Sequence, residues 1–189
     1  MNIVAISGSL RAASSNAALL RASIALAPAG MDISLYDGLD DLLHYSPERD
    51  HYYTPSLGAS PDAVRALRAA VGAADGALFC TPEYAYGIPG SLKNALDWLV
   101  SSGELWRKPV AVISASPSAN GGDKAHAALL LTLSALEATV PERARLIVPF
   151  VKTVLGPDGV LTHPATTDAL RAVLDALAQA AATPTLERE

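Results

Sequence analysis

Short apolar runs rich in β-branched residues alternate along the chain with segments whose apolar residues recur every three or four positions. The first pattern is typical of buried strands, and the second is typical of amphipathic helices. Five strands are predicted, at Ile3–Ile6, Met31–Leu35, Gly76–Cys80, Pro109–Ile113 and Leu146–Val148. Repeated strand–helix alternation indicates a parallel sheet with helices on both faces. We therefore predict an α/β fold with a doubly wound sheet, a three-layer sandwich.

Helical patterns follow each predicted strand. The first begins at Asn16, and the second begins at Ser60-Pro61, where a hydroxyl followed by proline predicts a capped helix start. The third runs from about Ser91 to Val100. The fourth runs from Lys124 to Ala138, and its consecutive leucines predict burial on more than one side. The closing helix carries an apolar stripe made of Leu170, Val173, Leu174, Leu177 and Ala178.

The composition narrows the class of protein. The 189 residues are 50% hydrophobic and 17% charged, which favours a compact fold over an unfolded chain. We assign one domain to residues 1–182 and expect 183–189 to be a frayed terminus. A net charge of −5 argues against nucleic acid as a partner. With no signal-peptide pattern, no run near the roughly 20 apolar residues of a membrane helix, and a single cysteine, we expect a cytoplasmic protein without a membrane partner.

The loop after the first strand is rich in groups that bind anions. It offers hydroxyls, an amide, a guanidinium and the N–H groups of a helix start, from Ser9, Arg11, Ser14, Ser15 and Asn16. These groups suit a phosphate at the carboxyl end of a parallel strand. The alternative is that Ser14 or Ser15 only caps the helix and that Arg11 is a solvated surface charge.

The loop after the third strand runs from Thr81 to Gly90 and is stiffened by two prolines. Such a path can hold backbone N–H and C=O groups at fixed positions against the edge of a planar ring. The alternative is a turn-rich connection whose tyrosines pack on a neighbouring subunit. For Trp98, on the helix that follows, we expect a place in the core or an interface. For Lys93 and Asp97 we expect a solvated helix face or a salt bridge.

Together the two loops carry a recognisable pair of motifs. They read Gly8-Ser9-Leu10-Arg11-x-x-Ser14-x-Asn16 and Thr81-Pro82-Glu83-Tyr84-x-x-x-x-Pro89-Gly90-x-Leu92-Lys93-Asn94-Ala95-Leu96-Asp97-Trp98. The chain thereby resembles the NADPH-dependent FMN reductase family, which includes quinone, chromate and azo-dye reductases. The resemblance implies a flavodoxin-like sheet in the order 2-1-3-4-5, bound FMN, NADPH or NADH as co-substrate, and a homodimer or homotetramer.

The resemblance also implies a set of cofactor contacts. Ser9, Arg11, Ser14, Ser15 and Asn16 would hold the FMN phosphate. The isoalloxazine edge would meet, largely through backbone groups, Pro82, Glu83, Tyr84, Ala85 and Tyr86. A third loop, Ser114 to Gly122, would approach the flavin from the other side with Ser116, Gly121 and Gly122.

At several positions this chain departs from the family. The family commonly has Asn at the position of Ala85 and often Ser at Gly87. It has Arg-Ala-Gln where this chain has Lys124-Ala125-His126, and an Arg-Gln pair where this chain has Leu130-Leu131. These differences bear on flavin affinity, substrate choice and oligomer size.

No acid–base or nucleophilic constellation falls inside the motifs, so we expect no catalytic side chain and chemistry carried by the flavin at N5. We expect Cys80 to be an inert core thiol. The His44 and His51 pair lacks a third ligand, and we expect no metal site. The expected reaction is a ping-pong transfer from NAD(P)H through FMN to a small acceptor such as a quinone or free flavin.

Three other functions stay open at this stage. An electron-carrying flavodoxin would share the fold, although true flavodoxins have a Thr-rich phosphate loop without arginine. A nucleotide-binding module that has lost its flavin is suggested by Ala85 and Gly87. A nucleoside-processing transferase would need a carboxylate nucleophile, for which Glu83 could be proposed.

Overall fold

The computed structural model describes residues 1–183, in which five parallel strands form one sheet in the order β2-β1-β3-β4-β5. Each strand lies within two residues of its predicted position. Their bounds are Asn2–Ser7 for β1, Asp32–Tyr36 for β2, Gly76–Thr81 for β3, Val110–Ala115 for β4 and Arg145–Val148 for β5. The predicted fold class and strand order are confirmed.

Six α-helices connect or follow the strands within residues 1–183. They are α1 Ser15–Ala25, α2 Asp62–Ala73, α3 Gly90–Trp98, α4 Asp123–Ala135, α5 Val151–Val154 and α6 Pro164–Ala181. The one-turn helix α5 was not predicted. In this part of the chain none of the helices combines the length and apolar character that a bilayer span requires. The predicted frayed terminus lies, from residue 184 onward, outside the described residues.

The sheet is covered on both faces, and side-chain alternation along the strands assigns the two cores. Val110 and Val112 of β4 face α2, α3 and α4, whereas Ala111 and Ile113 face α1 and α6. Trp98 is fully buried in the first of these cores, as expected. Because all five strands are parallel, their carboxyl ends and the loops after them share one edge of the sheet.

The irregular segment from Asp37 to Ser60 is held by a buried ion pair. Asp50 bonds Arg68 of α2 at 2.9 Å, and the same guanidinium donates to the carbonyl of Trp98 and to Ser60. Ser60 therefore does not cap α2: the helix begins at Asp62, with Pro61 in the cap position. The prediction for Ser60 was wrong because its hydroxyl bonds Asp50, His51 and Arg68 instead of an N–H in the first turn of α2.

One face of α4 is exposed, contrary to the predicted burial on several sides. Leu129 and Leu133 are buried against the sheet, but Leu131 between them is 76% exposed. A helix flanking a sheet buries only one stripe, and Leu131 points away from it. An apolar side chain of this size is thus left uncovered by the described residues.

Candidate functional site

The loop after β1 ends at the start of α1 and keeps several donors free. Ser14 caps α1, its hydroxyl accepting from the N–H of Ala17 at 3.3 Å. Within residues 1–183, the N–H groups of Ser15 and Asn16 have no hydrogen-bond partner, and neither does the exposed Arg11 guanidinium. Ser9, almost fully buried, accepts from the N–H of Arg11 at 3.4 Å. Ser14 therefore caps the helix, as the alternative interpretation expected. Capping by Ser14 leaves the N–H groups of Ser15 and Asn16 and the Arg11 guanidinium available to a phosphate.

Asn16 has a different role from its neighbours. Its amide is buried, donates toward the carbonyl of Ala115 at 3.5 Å and accepts from the Cys80 thiol at 3.2 Å. The side chain thus ties the start of α1 to the ends of β3 and β4. Only the backbone N–H of Asn16 remains available to a ligand.

The first and second loops lie directly against each other. A Cβ placed on Gly8 would lie 3.0 Å from Thr81 Oγ1 and 3.4 Å from Pro82 Cδ. The N–H of Gly8 donates to the carbonyl of Cys80 at 2.8 Å. A side chain at position 8 would be tightly packed, because the two chain segments approach each other closely here. The first loop and the Pro-Glu-Tyr segment are therefore neighbours at the same edge of the sheet.

The second loop contains a tight turn with unusual residues. Tyr84 and Gly87 exchange two backbone hydrogen bonds of 3.0 Å, while Ala85 and Tyr86 have φ values of 49° and 61°. Two left-handed residues between paired bonds are the geometry of a type I′ turn, which glycine and asparagine favour. The turn presents Tyr86 almost wholly to solvent. Strain of this kind is often found at ligand-binding loops.

Glu83 links the second loop to the third. Its Oε2 accepts from the N–H groups of Lys124 and Ala125, both at 3.0 Å, at the start of α4. A carboxylate at a helix N-terminus satisfies free donors and is favoured by the helix dipole. The side chain predicted to lie near the flavin is therefore committed to α4. The backbone of the segment remains free to meet a ring edge.

The third loop is shaped by two glycines in left-handed conformations. Gly121 and Gly122 have φ values of 62° and 84°. A Cβ on Gly121 would lie 2.5 Å from Ile147 and 2.8 Å from the backbone nitrogen of Pro149, and one on Gly122 would lie 3.4 Å from Glu83. Ser116 bonds the N–H of Ser118 at 3.2 Å within the same loop. The second and third loops thus adjoin at Gly122.

These contacts bring the predicted residues of all three loops to one edge of the sheet. The α1 start offers free N–H groups and an unpaired guanidinium, which suit a phosphate. The adjoining second and third loops offer closely packed backbone, which suits a flat ring. Of the described residues, those predicted to hold FMN fit that group, with Asn16 and Glu83 contributing through the backbone while their side chains hold the site together.

Comparison with known proteins decides the family. Residues 1–153 match the model of the NADPH-dependent FMN reductases. This chain belongs to the NADPH-dependent FMN reductase family. It is 34% identical over 179 residues to an NAD(P)H-dependent FMN reductase of Pseudomonas aeruginosa, with 94% of this chain and 93% of the relative covered. A quinone reductase of Escherichia coli is 30% identical over 182 residues, with 95% and 94% covered.

A solved structure supports the same assignment. The flavoenzyme NAD(P)H:(acceptor) oxidoreductase FerB of Paracoccus denitrificans superposes with a TM-score of 0.82 at 27% identity, covering 95% of this chain and 96% of that one. The family predicted from the two motifs is confirmed.

Ala85 has a φ of 49°, a backbone conformation that suits the asparagine expected here from the resemblance better than it suits alanine. Holding an L-residue in the left-handed region costs about 1–2 kcal/mol of conformational free energy. Glycine avoids this strain, but it makes the unfolded chain more flexible, which offsets part of the gain. We expect Ala85→Gly to raise the free energy of unfolding by about 0.5–1 kcal/mol, measured by urea denaturation. Ala127→Gly, on the exposed face of α4, should lower it by about 1 kcal/mol. Equal destabilisation by both would contradict the turn assignment.

His126, in the first turn of α4, is almost fully buried. Its Nδ1 and the hydroxyl of Ser114 beside α4 are both buried without a hydrogen-bond partner among the described residues. Burial lowers the pKa of His126 below 6.5, and the positive charge of Arg145 lowers it further. The signal that could have revealed this was its spacing: His126 lies three residues before Leu129 and so shares the inner face of α4.

The depressed pKa of His126 predicts a pH-dependent stability. Below pH 6.5 the unfolded chain takes up a proton that the folded imidazole still refuses, so the free energy of unfolding should fall as the pH falls. We expect His126→Gln to flatten this dependence, measured by urea unfolding at about pH 7.5 and about pH 5.5. His44→Gln, on an exposed loop, leaves His126 in place and should retain the slope. An unchanged slope in His126→Gln would refute the assignment.

The other candidate groups have structural surroundings. Burial raises the pKa of the Cys80 thiol far above its usual value, and the thiol donates to Asn16, so it is an inert core group as expected. Lys93 and Asp97 form the expected salt bridge at 2.5 Å on α3. Among residues 1–183 no three His, Cys, Asp or Glu side chains are grouped as a metal site would require.

Proposed function

We propose that this chain is a flavin-dependent NAD(P)H oxidoreductase that uses bound FMN and reduces a small acceptor. The family membership gives the reaction class. The observation that carries the proposal is the meeting of three loops at one sheet edge, where free N–H groups and Arg11 adjoin a stiff backbone segment. The named relatives reduce FMN or quinones, and a quinone or free flavin is the acceptor class we propose here.

The proposed cofactor contacts follow the loops. The phosphate is held by the hydroxyls of the first loop, by Arg11 and by the N–H groups at the start of α1. The ring lies between the backbone of the second and third loops. The full set is Ser9, Arg11, Ser14, Ser15, Asn16, Pro82, Glu83, Tyr84, Ala85, Tyr86, Ser116, Gly121 and Gly122.

When bound, FMN supplies a ring that accepts a hydride from a nicotinamide and gives up electrons to an acceptor. The protein residues anchor the FMN and orient its ring. Arg11 and the α1 donors fix the charged end, Glu83 holds the second loop to α4, and the two glycines let the third loop approach closely. We propose no catalytic side chain, because binding and orientation are what these groups provide.

Stopped-flow mixing under anaerobic conditions tests the reaction class. The FMN-loaded protein should lose its flavin absorption on mixing with NADPH or NADH, and a quinone should restore it with multiple turnovers. An electron-carrying flavodoxin would show no such bleaching by nicotinamide. A purified protein that stays colourless after incubation with excess FMN and removal of the unbound flavin would indicate a module without flavin. Either result would overturn the proposal.

We also propose a homodimer or homotetramer in the cytoplasm. The exposed Leu131 on α4 and the exposed Phe150 after β5 would be covered by a second copy. Consumption of NAD(P)H and a single buried cysteine suit an intracellular enzyme. Light scattering after size-exclusion chromatography tests the assembly, and a monomeric mass would contradict it.

A further inference from the structure

A cavity beside the first loop carries basic side chains that the proposed FMN contacts do not include. Its volume is about 290 Å³, and it is bordered by Ser14, Ser15, Arg21, Lys152 and Asp158. Ser14 and Ser15 belong to the predicted phosphate loop. The cavity is therefore a direct extension of that loop, on the side of α1 that faces α5.

The positions of the two cations are fixed by the fold. Ser14, Ala18 and Arg21 follow one another at spacings of four and three residues, so Arg21 lies on the same side of α1 as the capping residue and borders the same cavity. Lys152 is in α5, directly after Val151, whose N–H donates to the carbonyl of Ser116 at 3.0 Å. Lys152 is thus tied to the third loop as well as facing the first.

The charges of this cavity are unbalanced. Neither the guanidinium of Arg21 nor the ammonium of Lys152 has an ion pair or hydrogen bond within residues 1–183. The one carboxylate at the cavity, Asp158, accepts from the N–H of Val160 at 3.1 Å in its own turn. Two cations and two hydroxyl-bearing residues against one carboxylate favour an anion with more than one charge.

We propose that Lys152, assisted by Arg21, binds a phosphate monoester dianion at this cavity. Lysine acts toward phosphate as a point charge and arginine as a fork of donors, so the pair suits a tetrahedral dianion. The inference rests on the proposed function, because two ligands of that reaction carry such a group: FMN at its 5′ end and NADPH on its adenosine ribose. Riboflavin and NADH lack it.

Matched ligand pairs test the proposal. For Lys152→Ala, the FMN dissociation constant should rise about five- to tenfold while that of riboflavin stays constant, measured by flavin fluorescence. If the KM for NADPH rises instead and the KM for NADH does not, the site holds the NADPH phosphate, which also supports the proposal. Lys152→Arg should retain wild-type values, and Arg171→Ala, a cation on α6 paired with Asp168, should change neither ligand pair.

The proposal is overturned if Lys152→Ala changes neither the dissociation constant of FMN nor the KM for NADPH. It is also overturned if FMN and riboflavin lose affinity equally and the two KM values rise equally. Failure of the underlying function would be seen separately, in the unmodified protein, as no binding of FMN or no oxidation of either nicotinamide. Unfolding curves of Lys152→Ala should match the unmodified protein, since this exposed side chain has no partner to lose.

Discussion

Arg68→Ala should lower the free energy of unfolding by about 3–5 kcal/mol, because it leaves the buried Asp50 carboxylate without its partner. Asp50 is fully buried and bonds Arg68 at 2.9 Å. Burial alone would raise the pKa of the Asp50 carboxyl, but the hydrogen bonds from Arg68 and Ser101 hold it below its ordinary value. Urea denaturation followed by circular dichroism measures the loss.

Two comparisons make this prediction specific. Arg171→Ala removes an exposed pair with Asp168 and should cost less than about 1 kcal/mol. The double variant Asp50→Ala with Arg68→Ala should be less destabilised than the sum of the single variants, since it leaves no unpaired charge. A loss in Arg68→Ala no larger than in Arg171→Ala would show that the ion pair does not hold the segment from Asp37 to Ser60.

Arg11→Ala should weaken FMN binding by about 1.5–3 kcal/mol, or roughly 10- to 150-fold in the dissociation constant. The Arg11 guanidinium has no partner among the described residues, so its substitution removes a phosphate contact without breaking an internal one. Riboflavin affinity and the free energy of unfolding should not change. Titration calorimetry with both flavins measures the difference.

Arg143→Ala is the matched control for Arg11→Ala. Arg143 is exposed in the turn before β5, at the opposite edge of the sheet, and its substitution should leave FMN affinity unchanged. An FMN dissociation constant that is the same in Arg11→Ala and the unmodified protein would contradict the phosphate assignment.

The sequence was sufficient to predict the sheet. Buried β-branched runs identify strands locally, and the alternation with helices leaves few topologies for a parallel sheet. The loops of the site could be predicted for the same reason, because parallel strands deliver their carboxyl ends to one edge. The one-turn helix α5 has too few residues to show a helical period.

Contacts between distant residues could not be predicted. Glu83 meets α4 about 40 residues later, and Ser60 serves the Asp50–Arg68 pair instead of capping α2. A signal for that pair existed, because Arg68 shares the inner face of α2 with Val64 and Val71. A charged residue on an apolar face indicates a buried partner, but the sequence alone does not say which.

A crystal structure grown with saturating FMN tests the central claim most directly. The account predicts the phosphate among Ser9, Arg11 and the first N–H groups of α1, with the ring against the backbone of residues 82–86 and beside Gly121 and Gly122. Density for the flavin at any other edge of the sheet, or none at this crevice under those conditions, would contradict it.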